Sequence, residues 1–176
     1  MMPIDEERPF RPLNIAVLTI SDSRTMADDR SGDALAERLQ AAGHALAARA
    51  IVADDLDTIV EQLSALIDDP MVECILTTGG TGLTGRDVTP EAVEAVADKL
   101  IPGFGELFRY QSLAKIGTAT IQSRAIGAVA RGTYIFALPG STSAVKDGWD
   151  GILREQLDNR FGPCNFVGLM DRLLER

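Results

Sequence analysis

The 176-residue chain is poor in the groups that most often carry enzyme chemistry, with one histidine, two cysteines and one tryptophan. The lone His44 follows Gly43 at an expected helix end, so it reads as a surface or capping residue. A Ser-His-Asp triad and a His-rich metal site are set aside with it. Cys74 lies inside an apolar, strand-like run and Cys164 follows a proline near the end. They have no metal-ligand spacing, and a soluble domain of this size needs no disulfide framework. Long apolar runs are lacking too, since none approaches the ~18 residues of a membrane span. The start, "MMPIDEERPFRP", is acidic and proline-rich without the apolar stretch of a signal peptide. Residues 1–12 therefore read as a flexible lead-in, and the cytoplasm is the expected address. Basic charge is also scarce: 17 Lys and Arg against 26 Asp and Glu give a net charge of −9. That balance argues against a nucleic-acid partner, which needs a basic face. It leaves small anionic ligands open, because clustered amides, an arginine or a metal ion can override the global field.

What is present is an alternation of strands and helices. "NIAVLTI" (14–20) reads as a buried strand. "SGDALAERLQAAG" reads as a helix, with Ser31 as its N-cap and Gly43 ending it. "ALAARAIV" (45–52) is a weaker strand, and Leu56, Ile59, Leu63, Leu66 and Ile67 then fall at helical spacing. "VECILTT" (72–78) is a third strand, after which Thr89-Pro90-Glu91 opens a helix. "LIPGFG" reads as a break before a helix over "ELFRYQSLAKIG", and "TATIQSRAIGAVARG" suits several conformations. "TYIFALP" (133–139) is a buried strand, followed by a helix with Val145, Trp149, Ile152 and Leu153 inward. Repeated βα alternation predicts an α/β fold with a mostly parallel sheet covered on both faces. Residues 13–176 form one domain, with a C-terminal packing arm from about residue 160 that carries Phe166, Leu169, Met170 and Leu173.

Parallel strands deliver the loops after them to one edge, where open α/β sheets bind ligands. Four such loops carry chemistry: "TISDSR", "VADD", "TTGGTGLTGRD" and "LPGSTS". Gly79, Gly80, Gly82 and Gly85 allow backbone amides to converge on an anion. The stretch Gly80 to Gly85 satisfies G-x-G-x-x-G, yet it follows the third strand and meets its helix only after Arg86-Asp87-Val88. A dinucleotide loop follows the first strand and runs directly into its helix, so a nicotinamide oxidoreductase is rejected. No G-K-[ST] follows, which excludes a Walker loop as well. Asp87, with Asp54 or Asp55, offers carboxylates from two strand ends of the kind that hold Mg²⁺ against phosphate. Gly140, Ser141, Thr142 and Ser143 sit at a helix start suited to an anion. Arg24, Arg30, Arg86, Arg109 and Arg124 are candidate phosphate partners.

The motifs "TISDSR", "DRSGDALAERL", "TTGGTGLTGRDVTPEA", "IPGFGE" and "LPGST", in that order, resemble the MoaB/Mog family of molybdenum-cofactor biosynthesis proteins. The match runs from about Leu13 to about Phe166, and the tail "QLDNRFGPCNF" resembles the MoaB branch. The resemblance implies a three-layer α/β/α sandwich that binds molybdopterin and, in active members, adenylylates it with ATP and Mg²⁺. It assigns catalytic and Mg²⁺-holding roles to Asp54 and Asp87. It assigns substrate and phosphate binding to Ser21, Asp22, Gly79, Gly80, Thr81, Gly82 and Ser141, and the loop reading adds Thr78, Arg86 and Gly140 to the same site. It further implies a homo-oligomer, a hexamer before a trimer. The alternative is a non-catalytic molybdopterin-binding or carrier protein of the same pathway. Positioning and charge neutralisation dominate nucleotidyl transfer, so the shortage of nucleophilic side chains agrees with this reading.

Overall fold

A computed structural model describes residues 4–175. Its strands are β1 (Asn14–Ile20), β2 (Ala45–Val52), β3 (Cys74–Thr78), β4 (Lys99–Leu100), β5 (Ile126–Ala130) and β6 (Thr133–Leu138). They form one sheet in the order β2-β1-β3-β6-β5-β4. Neighbours among β2, β1, β3 and β6 run parallel, while β5 lies antiparallel to both β6 and β4. The reversal has a local cause. Arg131 (φ 49°) and Gly132 (φ 89°) join β5 to β6 as a two-residue hairpin, and consecutive positive φ angles match the twist such a loop requires.

The helices are α1 (Arg30–Ala41), α2 (Leu56–Asp68), α3 (Thr89–Val96), α4 (Pro102–Ile116), α5 (Thr142–Gly148) and α6 (Arg154–Gln156), the last two joined by a wide π-type turn. They cover both faces of the sheet in three layers. Alternate strand residues sort the core accordingly. Ile15, Val17, Leu76 and Phe136 face α1, α4 and α5, where Leu35, Phe104, Phe108 and Val145 meet them. Ala16, Leu18, Ile75 and Ile135 face α2 and α3, against Ile59, Leu63, Ala92 and Val93. Val145, Trp149, Ile152 and Leu153 all point inward, as their spacing predicted.

Several local expectations change. The N-cap of α1 is Asp29 rather than Ser31; its carboxylate accepts from the Gly32 amide. Ser31 lies inside the first turn, buried, and its hydroxyl donates to the Gly140 carbonyl at 2.7 Å. His44 is buried rather than surface-exposed, with Nδ1 accepting from the Leu13 amide at 3.1 Å and the Phe10 and Trp149 rings beside it. "PGFG" is not a break, because Pro102 begins α4 with its φ already helical. Gly105 is required there: a Cβ would lie 2.3 Å from the Ala125 carbonyl oxygen. The ambiguous stretch resolves into a 3₁₀ segment (Gly117–Gln122) and strand β5.

The described segments near both ends, from Ile4 onward and around Phe166, are tied to the body. Ile4 bridges to Phe161, and the Arg11 amide donates to Asn159. In the C-terminal arm Phe166 packs at a tilt against Tyr134 and Phe136, whose ring centroids lie 5.0 and 5.2 Å away. Met170 and Leu173 also pack on this core, whereas Leu169 faces outward. Residues 1–3 and 176 lie outside the described residues. No helix among the described residues is long and apolar enough to cross a membrane.

Candidate functional site

β1 leads through α1 to β2 on one side, while α2 carries the chain back past β1 to β3 on the other. The strand order therefore switches direction between β1 and β3, the place where open sheets form a crevice beyond their carboxyl ends. A cleft of about 720 Å³ lies there. It is lined by all four loops that the sequence singled out: Ser21, Asp54, Thr78 to Gly82 with Asp87, and Gly140 with Ser141.

The glycine loop has its shape for stated reasons. Gly79 (φ 104°) and Gly80 (φ 64°) turn the chain away from β3, and a Cβ on Gly79 would lie 2.2 Å from the Ile20 carbonyl oxygen. The Gly79 amide donates to Leu138 of β6, and Thr89 at the start of α3 donates its hydroxyl to the Gly79 carbonyl and its amide to Gly80. Thr78 donates to the Pro139 carbonyl at 3.0 Å, which joins this loop to the one after β6. Arg124, a candidate phosphate partner, is instead a brace: it reaches the Gly82 carbonyl at 2.7 Å, the Asp87 carbonyl at 2.6 Å and the Glu91 carboxylate.

The acidic residues are distinguished by their partners. Asp55 caps α2, accepting from the Thr58 amide and hydroxyl, and these bonds lower its pKa. Asp54 faces the cleft, where burial and then the neighbouring Asp22 charge push its carboxyl above the usual value. Asp22 pairs with Arg86, whose hydrogen bond lowers its pKa; both stand at the rim rather than in the lining. Asp87 accepts at Oδ2 from the Thr84 hydroxyl at 2.6 Å and amide at 2.8 Å. The Thr84 hydroxyl, then the Thr84 and Gly82 amides, keep it below the usual carboxylate range. Ser21 accepts from the Ser23 and Arg24 amides, and Ser141 caps α5 through the Ala144 amide.

Of the remaining arginines, Arg24 lines the cleft, Arg109 is held by the Ser123 and Ala125 carbonyls, and Arg30 stays exposed outside the lining. Two features were given no role by the sequence, although Asp29 opens the "DRSGDALAERL" motif. The wall formed by Phe108, Ser112 and Lys115 of α4 with Asp147 of α5 carries no motif. The buried Asp29 ties Thr19 of the lining to Arg49 of β2 through a 2.6 Å hydroxyl contact and a 3.1 Å ion pair.

Together these loops offer backbone amides, hydroxyls and two hard carboxylates around one cavity, a set suited to phosphate groups with a divalent cation. No group of three or more His, Cys, Asp or Glu able to hold a metal occurs among the described residues.

A family profile described as "Probable molybdopterin binding domain" matches residues 16–159. The chain is 48% identical over 157 residues to Molybdenum cofactor biosynthesis protein B of Escherichia coli, covering 89% of this chain and 92% of that protein. Against the protein of the same name from Bacillus subtilis it is 40% identical over 148 residues, 82% and 87% of the two chains. A crystal structure of Molybdenum cofactor biosynthesis protein B superposes with a TM-score of 0.83 at 41% identity, covering 85% of this chain and 94% of that one. Tungsten cofactor synthesizing protein MoaB from Pyrococcus furiosus gives 0.71 at 36% identity, with 82% and 92% covered.

Proposed function

Because the chain belongs to the MoaB/Mog family of molybdenum-cofactor biosynthesis proteins, we propose that its cleft binds molybdopterin and adenylylates it with ATP. The reading is carried by one observation: Ser21, Asp54, Asp87 with the Gly79–Gly82 loop, and Ser141, from four strand ends, line a single cavity at the switch point of the sheet. In the reaction, the terminal phosphate oxygen of molybdopterin forms a bond to the α-phosphorus of ATP. The bond from that phosphorus to the β-phosphate oxygen breaks, and pyrophosphate leaves with its electron pair.

The chain's contribution is binding and alignment. The Gly79–Gly82 amides and the Ser141 loop would hold phosphate oxygens, with Ser21, Thr78, Thr81 and Gly140 shaping the same cavity. Arg86 and Asp22 would fix the rim between the β1 and β3 loops. Asp54 and Asp87 fit Mg²⁺: they are hard oxygen donors, and Asp54 is raised by burial and by nearby negative charge that a cation would relieve. Two carboxylates without a third protein ligand also suit Mg²⁺, which takes its other ligands from substrate phosphates and water. When bound, it supplies neutralisation of phosphate charge. We also propose a homo-oligomer, a hexamer before a trimer, in the cytoplasm; light scattering on the purified protein tests the assembly.

The test mixes purified protein with molybdopterin, ATP and Mg²⁺ and follows adenylyl-molybdopterin and pyrophosphate, expected in equal amounts. Turnover by Asp87→Asn at the wild-type rate would overturn the assigned role. Pterin binding without product, unaffected by ATP, would favour the carrier reading.

A further inference from the structure

The charged groups of the cleft are unevenly committed. Its lining holds three carboxylates, Asp54, Asp87 and Asp147, against two cations, Arg24 and Lys115. A phosphorylated ligand needs the cations. Arg24 already donates to the Asp28 carbonyl at 3.0 Å, and nearby Arg86 and Arg124 are held by Asp22 and Glu91. Lys115 differs, because its one ion pair, with Asp147, joins the end of α4 to α5 across the cleft wall. Its side chain is 61% exposed and that of Asp147 27%. Exposed pairs are weakly held, that of Arg86 with Asp22 included, but Lys115 stands in the lining itself, and an ammonium on a four-carbon stem re-aims readily.

A second observation marks the same wall. Ser112, one turn before Lys115 on α4, is 9% exposed and lines the cleft, yet no hydrogen bond among the described residues engages its hydroxyl. Among the described residues the buried side-chain atoms without a partner are Arg49 Nε and Thr77 Oγ1, so the Ser112 hydroxyl opens onto the cavity, where it can meet something that enters. With Phe108 it forms a stripe at helical spacing, Phe108, Ser112 and Lys115, facing the lining of α5.

We propose that Lys115 is an exchangeable anion-binding group: it leaves Asp147 to pair with a phosphate of the ligand, beside the Ser112 hydroxyl. Asp147 is its internal competitor and sets affinity without touching the ligand. The idea rests on the reading of the cleft as a phosphate site, but not on adenylyl transfer taking place.

Calorimetry with ATP and with inorganic pyrophosphate, each with Mg²⁺, tests it on wild type, Lys115→Gln, Asp147→Asn, the double variant and Ser112→Ala. Lys115→Gln should weaken binding about tenfold or more, as expected for a lost charge-assisted contact. Asp147→Asn should tighten it several-fold, and Ser112→Ala should weaken it to a lesser degree. In the Lys115→Gln background the Asp147→Asn gain should vanish, because Asp147 acts through Lys115. Equal tightening in both backgrounds would mean simple removal of negative charge and overturn the proposal. So would wild-type affinity in Lys115→Gln, or no binding of either probe by the wild-type protein. The expected pattern without any adenylyl-molybdopterin would support the exchange while removing the transferase reading. Lys115 and Asp147 lie at the surface, so matching unfolding midpoints should confirm intact variants.

Discussion

Asp22 and Asp54 clasp each other through reciprocal contacts: the Asp54 amide donates to Asp22 Oδ1 at 3.0 Å, and the Asp22 amide donates to Asp54 Oδ2 at 3.1 Å. The loops after β1 and β2 are locked together where the cleft begins. Arg86 pairs with Asp22 and lowers its pKa, while Asp54 is left with burial and a negative neighbour, both raising its own. Asp22→Asn removes that neighbouring charge and frees Arg86, and both changes favour ionised Asp54. The Asp54 carboxyl should therefore titrate lower in the variant. Carboxyl carbon NMR across the acid range measures this, and an unmoved or higher midpoint would count against it.

Adjacent Asp54 and Asp55 should separate function from stability. Asp55 caps α2, so Asp55→Ala should cost about 1 kcal/mol in denaturant unfolding and leave product formation near wild type. Asp54→Asn keeps the shape of the side chain and the fold but removes the charge facing the cleft. Adenylyl-molybdopterin formation should fall on the order of a hundredfold, the scale of losing one preorganised electrostatic group. The reverse pattern would reassign the two residues.

The four loops were legible in sequence because each follows a short apolar strand and concentrates glycine, hydroxyl or carboxylate groups. Parallel pairing then forces them to one edge, and βα alternation implied that pairing. Other features depend on partners distant in sequence. Ser31 and Asp29 are both acceptable caps, and the choice follows from contacts of Asp29 with Thr19 and Arg49 and of Ser31 with Gly140. His44 appears polar and terminal until Phe10 and Trp149 close around it. The α4 wall was invisible because Ser112 and Lys115 are ordinary helix residues until α5 is placed opposite them. The β5–β6 hairpin was hidden by Arg131, a non-glycine residue at positive φ.

The glycines of the loop are not equivalent. Gly79 has φ 104° and a carbonyl oxygen 2.2 Å from where a Cβ would sit, whereas nothing lies within 4 Å of the same position on Gly85. Gly79→Ala should lose roughly 1–3 kcal/mol from backbone strain alone, and more from the contact with Ile20. Gly85→Ala should stay within about 0.5 kcal/mol. Chemical denaturation of both variants decides this, and equal losses would refute the geometric distinction.

His44 gives the protein a pH-dependent weakness. Burial lowers its pKa from 6.5 more than Asp158 and Glu73 raise it, and its Nδ1 accepts the Leu13 amide at 3.1 Å. The folded state keeps the ring neutral, so the unfolded state binds the proton first as pH falls. Stability is therefore full above the unfolded pKa and declines as pH drops below 6.5 toward the lower folded value. Denaturant midpoints followed from about pH 7.5 to about pH 5 should show this decline, and His44→Gln should flatten it. An unchanged slope in the variant would place the effect elsewhere.

Asp29 is fully buried, and three groups stabilise its charge: the Thr19 hydroxyl at 2.6 Å, the Gly32 amide at 3.0 Å and Arg49 at 3.1 Å. Arg49 is itself largely covered, shares its guanidinium with Asp33 and has an unpartnered Nε. Arg49→Ala leaves a carboxylate buried without its countercharge, and Asp29→Ala leaves a guanidinium short of a partner and α1 without its cap. Each should cost about 3–5 kcal/mol, the range for breaking a buried pair. Once one partner is gone, removing the other relieves the orphaned charge, so the double variant should lose clearly less than the two single losses added together. Additive losses would mean that the two residues stabilise the fold independently. The same pair anchors Thr19 at the start of the loop that carries Ser21 and Asp22. Asp29→Asn retains an oxygen for the Gly32 amide while discarding the charge, so it should fold. Its binding of ATP should weaken through displacement of that loop, a change readable by calorimetry at temperatures where the variant remains native.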